Sequence, residues 1–447
     1  AAGAAAAGAV ATASRSTPSL SAHLVVYSHV DPGWLRTVDG YYEQGYKEGQ
    51  VGVKKVITDA VAALSSAPPG TSRKYTWGEA IYLERWWREA DAGSKRALRK
   101  LVADGALSFA GGGWVSPDEA TSHATDMVDA YALGHSWLWR ELGATPPTAG
   151  WQIDTFGHSQ AHAAVAATMG QSSIFFSRID TEDRLHREAA KQLEFAWDAA
   201  PGAARGRDVW CYSFFSGIYD IPPSLEDLQR PVPSDPVAAE AVWAARLANV
   251  TAYTRDVAAR SRGRGPAMIS IARDFGWENI ELLYANLDEL IQRANAGGEL
   301  ALSYATPGEH AAARRADPSI SWPVQQGDLM PYADCKGCYW TGYYSTRPAT
   351  KRLVREASGL LAAARQVDVL ARGAPRAASS PPPDQIVALS RAVALMQHHD
   401  AITGTDMAHV NQDYRSIVTA AVAGARAYVA TALDGLIFGD KTVDERP

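Results

Sequence analysis

Short apolar runs alternate with longer amphipathic segments through the first 322 residues of this 447-residue chain. The amphipathic segments carry apolar residues at spacings of three and four and often end near a glycine, which is typical of helices. The alternation therefore predicts an α/β fold with a mostly parallel sheet or barrel. Seven runs have the length and composition of buried strands, and 209–215 is a further candidate; the seven are 23–28, 74–78, 106–110, 148–153, 172–177, 267–272 and 299–304.

The pattern changes after Trp322, where a stretch rich in turn residues and aromatics leads into three long helical segments. The prolines of 379–384 end the first of these helices before the second begins. We therefore predict an Ala-rich disordered tail, an α/β barrel, and a linker with a three-helix bundle. Their predicted bounds are 1–21, 22–322 and 323–447.

Composition excludes some classes of partner. A formal net charge of -6, with 43 basic and 49 acidic residues, leaves no basic surface for neutralising phosphates, so we expect no nucleic-acid partner. No run of about 18 strongly apolar, charge-free residues occurs, so we expect no transmembrane segment. A sequon at Asn249 is consistent with a secretory route.

Three cysteines, Cys211, Cys335 and Cys338, give an odd count. The spacing of Cys335 and Cys338 is that of a redox pair or of half a zinc site. Because the chain has no second pair with this spacing, we favour a small local disulfide or two inert thiols over a zinc ribbon or a thioredoxin-like function.

Polar residues follow the apolar runs with unusual regularity. In parallel α/β folds the chemistry gathers at the carboxyl ends of the strands, and these residues fall at such ends. The alternative for each is a polar group that caps the following helix, and for Glu79 and Arg178 this alternative weighs most. The residues are His29, Glu79, Gly111 to Gly113, Asp154, Arg178 and Asp274.

Three short segments supply groups that could bind one metal ion. His29 and Asp31 lie two residues apart at the end of a predicted strand, so their side chains point to the same side. With Asp154 and either His398 or His399, they form a set of two imidazoles and two carboxylates, for which zinc is the favoured ion. Adjacent residues of a helix diverge by about 100°, so we expect only one histidine of the pair to bind, and periodicity does not choose between them.

Five motifs together resemble glycoside hydrolase family 38, the retaining α-mannosidases, and in particular its lysosomal or vacuolar branch. They occur in the family's order between about 22 and 406. The resemblance implies an irregular, seven-stranded α/β barrel followed by a three-helix bundle, in a protein of the secretory pathway, of the vacuole or lysosome, or of the extracellular space. The motifs are SHVDPGW, GWQIDTFGHS, ARDF, YWTGYYSTRPATKR and QHHDAITGT.

The resemblance also implies a role for individual residues. It assigns a zinc ion (Zn²⁺) to His29, Asp31, Asp154 and His399, and it makes Asp154 the nucleophile and Asp274 the acid/base. The activity implied is double-displacement hydrolysis of terminal α-mannosyl residues of N-glycans or oligosaccharides, for which Asp274 needs a less charged environment than Asp154. The sugar-pocket positions are Trp34, Phe156, Arg178, Tyr219, Trp340 and Asp400.

The chain departs from the family pattern at Val30, at Thr155 and at its carboxyl end. Family members continue into β-rich domains, whereas this chain stops at Pro447, which suggests a fragment, a processed piece or a chain that works with another polypeptide. There are two alternatives to a mannosidase. One is a metal-dependent deacetylase-like hydrolase, which has no need of Asp274. The other is a mannose-binding or inactive fragment without turnover.

Overall fold

A computed structural model describes residues 18–47, 50–200, 208–373 and 381–438. The predicted Ala-rich tail falls almost wholly outside these ranges, as do residues 379 and 380 of the proline-rich segment 379–384. The predicted strands and the motifs that carry the family resemblance all lie within the described ranges.

Ten strands and thirteen α-helices occupy this part of the chain, together with a π-helical turn (Leu138–Leu142) and two 3₁₀ turns (Pro223–Gln229 and Gly342–Tyr344). The strands are β1 (Leu20–His29), β2 (Tyr75–Trp77), β3 (Leu107–Phe109), β4 (Ala149–Gln152), β5 (Ser173–Phe176), β6 (Glu194–Asp198), β7 (Asp208–Ser213), β8 (Ala267–Asp274), β9 (Leu300–Tyr304) and β10 (Val324–Gln325). The helices are α1 (Val38–Gln44), α2 (Val53–Ser65), α3 (Ala80–Glu89), α4 (Ala92–Ala103), α5 (Ala124–Trp137), α6 (Gln160–Thr168), α7 (Thr181–Ala189), α8 (Pro236–Arg260), α9 (Ile280–Gly297), α10 (Pro307–Arg315), α11 (Pro348–Arg372), α12 (Asp384–Leu395) and α13 (Ala408–Phe438).

The strands form two five-stranded sheets. The first has the order β3-β2-β1-β8, with β9 also paired to β1, and all its pairs are parallel. The second has the order β10-β6-β7-β5-β4 and is parallel except between β6 and β7. Two backbone hydrogen bonds link the two sheets: the Gly111 N–H, two residues after β3, donates to the Ala149 carbonyl of β4 (2.7 Å), and the Ile221 N–H, in the segment after β7, donates to the Ala272 carbonyl of β8 (2.9 Å). The α/β prediction is confirmed, whereas these pairings alone do not establish a closed seven-stranded barrel.

Each of the eight predicted apolar runs contains a strand, but β6 and β10 were not predicted. The sequence of β6 begins and ends with an acidic residue, which argues against a buried strand when it is read locally. Glu194 is nevertheless buried, because Arg314 donates two hydrogen bonds of 2.6 Å to its carboxylate. Arg314, which is distant in the sequence, thus compensates the buried charge of Glu194, whereas the local sequence pattern counts this charge against a buried strand.

The central strand β1 is buried on both faces, with Leu24, Val25, Val26 and Tyr27 at 1% exposure or less. A continuous apolar run is what a parallel strand covered on both sides requires. Strand β8 pairs along β1 in a register that ends with His29 opposite Asp274. The two strands therefore deliver both residues to the same edge of the sheet.

The three carboxyl-terminal helices α11, α12 and α13 contact one another, and α12 also packs against α5 of the α/β region. His398 and His399 follow α12 in a turn instead of lying within the helix, and His398 forms an isolated β-bridge with Pro117. This contact brings the histidine pair to the edge where the strands end.

One described helix, α13, has the length and apolar composition of a helix that can cross a membrane. Its buried side chains, which include Val410, Tyr414 and Val418, face the rest of the protein, while most of its apolar stretch is exposed. Length and composition are only a weak indication, so the predicted absence of a transmembrane segment stays a prediction.

Candidate active site

Four predicted metal ligands converge at the carboxyl ends of the strands. His29 ends β1, Asp31 and Asp154 lie two residues beyond β1 and β4, and His399 lies in the turn after α12. All four are buried, and one nitrogen or oxygen atom from each lies within 4.8 Å of the others. His29 Nε2 is 2.8 Å from Asp31 Oδ1, and His399 Nε2 is 3.3 Å from both Asp31 Oδ1 and Asp154 Oδ2.

The polar atoms at the centre of this cluster lack hydrogen-bond partners among the described residues. His29 Nε2, Asp31 Oδ1 and His399 Nε2 are buried without a hydrogen bond of acceptable geometry. The other nitrogen of each imidazole is held from behind, by the Tyr27 hydroxyl (3.3 Å) and by the Ser116 carbonyl (3.1 Å) respectively. Imidazoles anchored through one nitrogen, with the other turned inward, are typical of metal sites, and unpaired buried polar atoms are costly unless a ligand satisfies them.

The electrostatics of the cluster favour a cation. Burial acts to lower the pKa of His29, but Asp31, Tyr27 and Asp154 raise it well above its usual value. The pKa of His399 is raised in the same way, against burial, by Asp154 and Asp31. A negative field that binds a proton this firmly also suits a divalent metal ion.

His398 is held differently from its neighbour. Its Nε2 donates to the Gly33 carbonyl (3.1 Å), and it lies 3.7 Å from Asp31 Oδ1 and 3.6 Å from Asp400 Oδ2. A second potential set of ligands is Asp31, His398, His399 and Asp400; the nitrogen of His398 that faces the two carboxylates is Nε2, which already has a backbone partner. The set that contains His29 and Asp154 therefore fits a metal better.

Asp154 is held as a carboxylate by Arg178, whose Nε and Nη2 approach Oδ1 at 2.7 and 2.5 Å. Burial acts to raise the pKa of Asp154, but Arg178 and the two imidazoles outweigh it and hold the pKa well below its usual value. The guanidinium in turn lies among three aromatic rings, those of Phe156, Tyr332 and Trp340, each with its centroid 5.6 Å from Cζ.

Asp274 has the opposite character. Burial raises its pKa to about 6; His29 opposes this effect, whereas Asp154 and Asp31 add to it. The Tyr219 hydroxyl donates to Asp274 Oδ1 at 2.5 Å, and the Tyr219 ring lies 5.2 Å from that of His29. One edge of the fold thus holds one carboxyl group that is ionised and one that is readily protonated, which is the difference in environment expected from the sequence.

The remaining predicted pocket residues surround the cluster. Trp34 stacks on Tyr46 with ring centroids 5.8 Å apart, and Tyr46 stacks on Phe275 at 5.5 Å, next to Asp274 in the chain. Asp400 is buried, accepts a hydrogen bond from Thr405 Oγ1 (2.5 Å), and has a pKa raised to about 7 by burial. The structure therefore brings every predicted site residue to one region.

Comparisons with known proteins assign this region to a family. The model for the glycosyl hydrolases family 38 N-terminal domain matches residues 19–335, and that for the alpha mannosidase middle domain matches 338–436. The chain belongs to glycosyl hydrolase family 38.

Sequence relatives of this family 38 chain include an alpha-mannosidase from Arabidopsis thaliana, 34% identical over 438 residues, covering 96% of this chain and 41% of the relative. The lysosomal alpha-mannosidase of Cavia porcellus is 33% identical over 444 residues, covering 95% and 42%. The chain thus spans about two fifths of the length of these relatives. Among solved structures, an alpha-mannosidase from Enterococcus faecalis V583 has a TM-score of 0.69 at 16% identity and covers 93% of this chain and 42% of its own, which shows a common fold.

Sequence reasoning missed several groups that build the family 38 site. Tyr332 lies in the aromatic stretch after Trp322, but its contact with Arg178 has no local signal. Glu119 is buried, and its carboxylate accepts hydrogen bonds from Gln152 Nε2 (3.1 Å) and from the Ser159 N–H (2.7 Å). Its Oε1 also lies 2.9 Å from Nδ1 of His158. It therefore supports the loop that carries Asp154 from both sides.

Glu79 and Gly111 to Gly113, two of the strand-end features of this family 38 chain, lie beside the cluster of four ligands and not within it. Glu79 precedes α3, but its side chain makes no capping hydrogen bond; it is buried, Oε2 has no partner within the described part of the chain, and burial raises its pKa to about 7. Together with Gly111 to Gly113, Ser116 and Gln152 it lines a small cavity. The capping alternative for Glu79 is therefore wrong, although the residue is not one of the four converging ligands.

Proposed function

We propose that the protein is a retaining, zinc-dependent α-mannosidase that hydrolyses terminal α-mannosyl residues of N-glycans or oligosaccharides. The observation that carries the proposal is the pairing of an ionised Asp154 with a readily protonated Asp274 beside a buried cluster of imidazoles and carboxylates. Relatives that are named alpha-mannosidases support the class of substrate.

The donor set fits zinc. Two imidazole nitrogens and two carboxylate oxygens are ligands that zinc accepts in catalytic sites. His29, Asp31, Asp154 and His399 would hold the ion, with Tyr27 and Ser116 fixing the imidazoles from behind. When bound, zinc supplies a Lewis-acid contact for hydroxyl groups of the sugar.

The two carboxyl groups divide the chemistry. Asp154 attacks the anomeric carbon to form a glycosyl ester while Asp274 protonates the departing oxygen; Asp274, now a carboxylate, then takes a proton from the water that hydrolyses the ester. Arg178 orients Asp154 through its two contacts with Oδ1, and Tyr219 orients Asp274. The raised pKa of Asp274 favours the protonated form with which the first step begins.

Recognition of the sugar falls to the residues around the cluster. Trp34, Phe156 and Trp340 offer aromatic faces to the apolar side of a pyranose ring. Asp400 and Arg178 offer polar groups to its hydroxyls. Because Trp34, Arg178, Asp274 and Trp340 are partly exposed while the four proposed ligands are buried, the sugar would enter from the side of these residues, above the four ligands.

We extend the proposal to the architecture. The hydrogen bonds from Gly111 to Ala149 and from Ile221 to Ala272, which link the two sheets, support an irregular barrel of seven strands, β1 to β5, β7 and β8. The mutual contacts of α11, α12 and α13 support a three-helix bundle after the α/β region. The relatives named as lysosomal support a location in the lysosome, the vacuole or elsewhere in the secretory pathway.

A single set of assays tests the function. The purified chain, stripped of metal with a chelator, is incubated with an aryl α-mannoside with and without added zinc. We expect release of the phenol only with zinc and retention of the anomeric configuration in the first-formed product. A 5-fluoro mannosyl fluoride should label Asp154 in a peptide identified by mass spectrometry.

Other outcomes separate the alternatives. Binding of mannoside without release of the phenol would favour a mannose-binding fragment. An inverted product would contradict the retaining mechanism, and a label on another residue would remove Asp154 as the nucleophile. Asp104→Asn, a change at an exposed residue after α4, is the matched control and should behave as the wild type.

A further inference from the structure

Residues 332–340 form a hairpin that carries the only two cysteines of the chain able to pair locally. Ala333 and Tyr339 form an antiparallel bridge, and the Trp340 N–H donates to the Tyr332 carbonyl (2.9 Å). At the tip, Cys335 and Cys338 are joined by a disulfide, in agreement with the expected local pairing.

The tip has a sequence that suits this closure. The Cys338 N–H donates to the Cys335 carbonyl (3.0 Å), so the four residues from Cys335 to Cys338 make one tight turn. Its third residue, Gly337, has φ 77°, a value that glycine adopts readily at this position of a type II turn. The two Cα atoms are 5.0 Å apart, within the usual range of about 4.4 to 6.8 Å for a disulfide.

The base of the 332–340 hairpin is part of the candidate active site. Tyr332 and Trp340 have ring centroids 5.1 Å apart, and both rings lie 5.6 Å from Cζ of Arg178. Arg178 also donates to the Tyr332 hydroxyl (3.3 Å), and Trp340 lies 5.1 Å from Phe156. The disulfide therefore closes the tip of the 332–340 hairpin, while the base of the hairpin contacts Arg178, the residue that binds Asp154.

The two strands of the hairpin are held unequally. Ala333 is fixed because its carbonyl accepts hydrogen bonds from both the N–H and the Oγ1 of Thr181, at 2.9 Å each. Cys338 and Tyr339, on the returning strand, are exposed. The ion pair between Lys336 and Glu182 (3.2 Å) is also exposed, so it contributes little. The covalent closure at the tip thus constrains the exposed part of the returning strand, while Trp340 is held in addition by its N–H donation to the Tyr332 carbonyl and by its ring contacts.

We propose that the Cys335–Cys338 disulfide is a positioning element for substrate binding: it holds Trp340 opposite Tyr332 and Arg178, and so maintains one aromatic wall of the sugar site. This inference rests on the proposed function for the identity of the ligand. A disulfide that closes so short a loop removes little entropy from the unfolded chain, so its main effect falls on the local geometry and not on global stability.

Steady-state kinetics on an aryl α-mannoside test the proposal before and after treatment with dithiothreitol. The reagent supplies two electrons and two protons: the Sγ–Sγ bond breaks, two thiols form, and dithiothreitol closes to its cyclic disulfide. We expect KM to rise about five-fold, as the loss of one aromatic contact implies, while kcat changes less than about two-fold. Reoxidation should restore KM.

Variants distinguish positioning from a general effect of the reductant. Cys335→Ser/Cys338→Ser should show the raised KM without dithiothreitol and should not respond to it. Trp340→Ala should also raise KM, and reduction should then add nothing, because both changes remove the same contact. Cys211→Ala, at a buried cysteine of β7, and Lys336→Ala, which removes only the exposed ion pair, should respond to reduction as the wild type does.

Two kinetic results would overturn the proposal. The first is an unchanged KM when thiol titration shows two new thiols in the folded protein. The second is a reduction effect of undiminished size in Trp340→Ala. Should the double variant fail to fold, reduction of the folded wild type still decides the question.

A third measurement needs no turnover. If no hydrolysis occurs in either redox state, the proposed function fails, and hydrogen exchange at the amides of 332–340 still tests the positioning role. Faster exchange on reduction at Trp340, whose N–H donates to the Tyr332 carbonyl, supports the role of the disulfide, and unchanged exchange overturns it.

Discussion

The floor of the candidate site and its rim are built in different ways. The floor consists of the four proposed ligands, His29, Asp31, Asp154 and His399, which are buried and come from strand ends and from a turn fixed by backbone contacts. The rim consists of the partly exposed residues Trp34, Arg178, Asp274 and Trp340, whose side chains are oriented by contacts with other side chains. Substitutions in the two regions should therefore have effects of different size and kind.

The physical reason lies in what each region leaves unsatisfied. In the floor, charges and lone pairs face one another with too few hydrogen bonds, so removing one group leaves the others uncompensated. In the rim, each aromatic contact contributes about 0.5 to 1.5 kcal/mol, and the loss of one leaves the rest in place. Substitution of a floor residue should therefore abolish activity, whereas substitution of an aromatic rim residue should reduce activity only in part.

The adjacent histidines give the largest predicted contrast. His399→Ala removes a floor group that faces Asp31 and Asp154, so we expect kcat/KM to fall at least about 1,000-fold and bound zinc to be lost. His398→Ala removes a donor to the Gly33 carbonyl, and we expect a loss of about ten-fold with zinc retained. Metal analysis and kinetics on an aryl α-mannoside measure both; a greater loss of zinc from the His398 variant would reverse the assignment.

Asp274 is the rim residue with a proposed part in bond breaking, so the effect of Asp274→Asn should depend on the leaving group. We expect kcat/KM to fall about 100-fold to 10,000-fold for a substrate whose leaving group needs protonation, and much less for an aryl mannoside with an acidic phenol. Zinc content should not change. Asp220→Asn, at a neighbouring half-buried carboxyl group, is the matched control and should show no such dependence.

A different result would point to another mechanism. Equal losses for good and poor leaving groups would exclude Asp274 as the acid. If Asp274→Asn retained full, metal-dependent turnover, a deacetylase-like reaction would explain the cluster better.

The floor was largely predictable because its residues have local signals. His29 and Asp31 follow a continuous apolar run, and Asp154 follows another, so the rule that chemistry gathers at strand ends applies directly. The choice between His398 and His399 could not be made this way. It depends on contacts with Gly33 and Ser116, which lie more than 280 residues away along the chain.

The rim was less predictable from the residues themselves. Aromatic residues are abundant in this chain, and ring contacts such as those of Trp34 with Tyr46 or Tyr332 with Trp340 leave no periodic pattern. The position of Asp274 at a strand end was visible, but its hydrogen bond with Tyr219 joins residues 55 positions apart. The predicted rim residues came from the family resemblance and not from hydrophobic periodicity.

Tyr219→Phe is the smallest and most specific change, made at a buried residue that supports the rim residue Asp274. The hydroxyl of Tyr219 donates to the Asp274 carboxylate and so lowers the pKa of Asp274, which burial otherwise raises; His29 also lowers it, and Asp154 and Asp31 raise it. Loss of the hydroxyl should therefore raise the pKa of Asp274 further. The floor stays intact, so we expect a fall in kcat/KM of about two-fold to twelve-fold at the optimum pH, the equivalent of one hydrogen bond.

The sign of the pH effect follows from the proposed role of Asp274. Its acid form starts the reaction, so activity is lost as pH rises through its pKa, and a higher pKa moves the basic limb of the kcat/KM profile to higher pH. Tyr332→Phe, which loses a hydroxyl bonded to Arg178 instead, should leave this limb in place. If the basic limb stays fixed or moves to lower pH in Tyr219→Phe, a group other than Asp274 determines its position. The rim residues would then contribute to substrate binding alone.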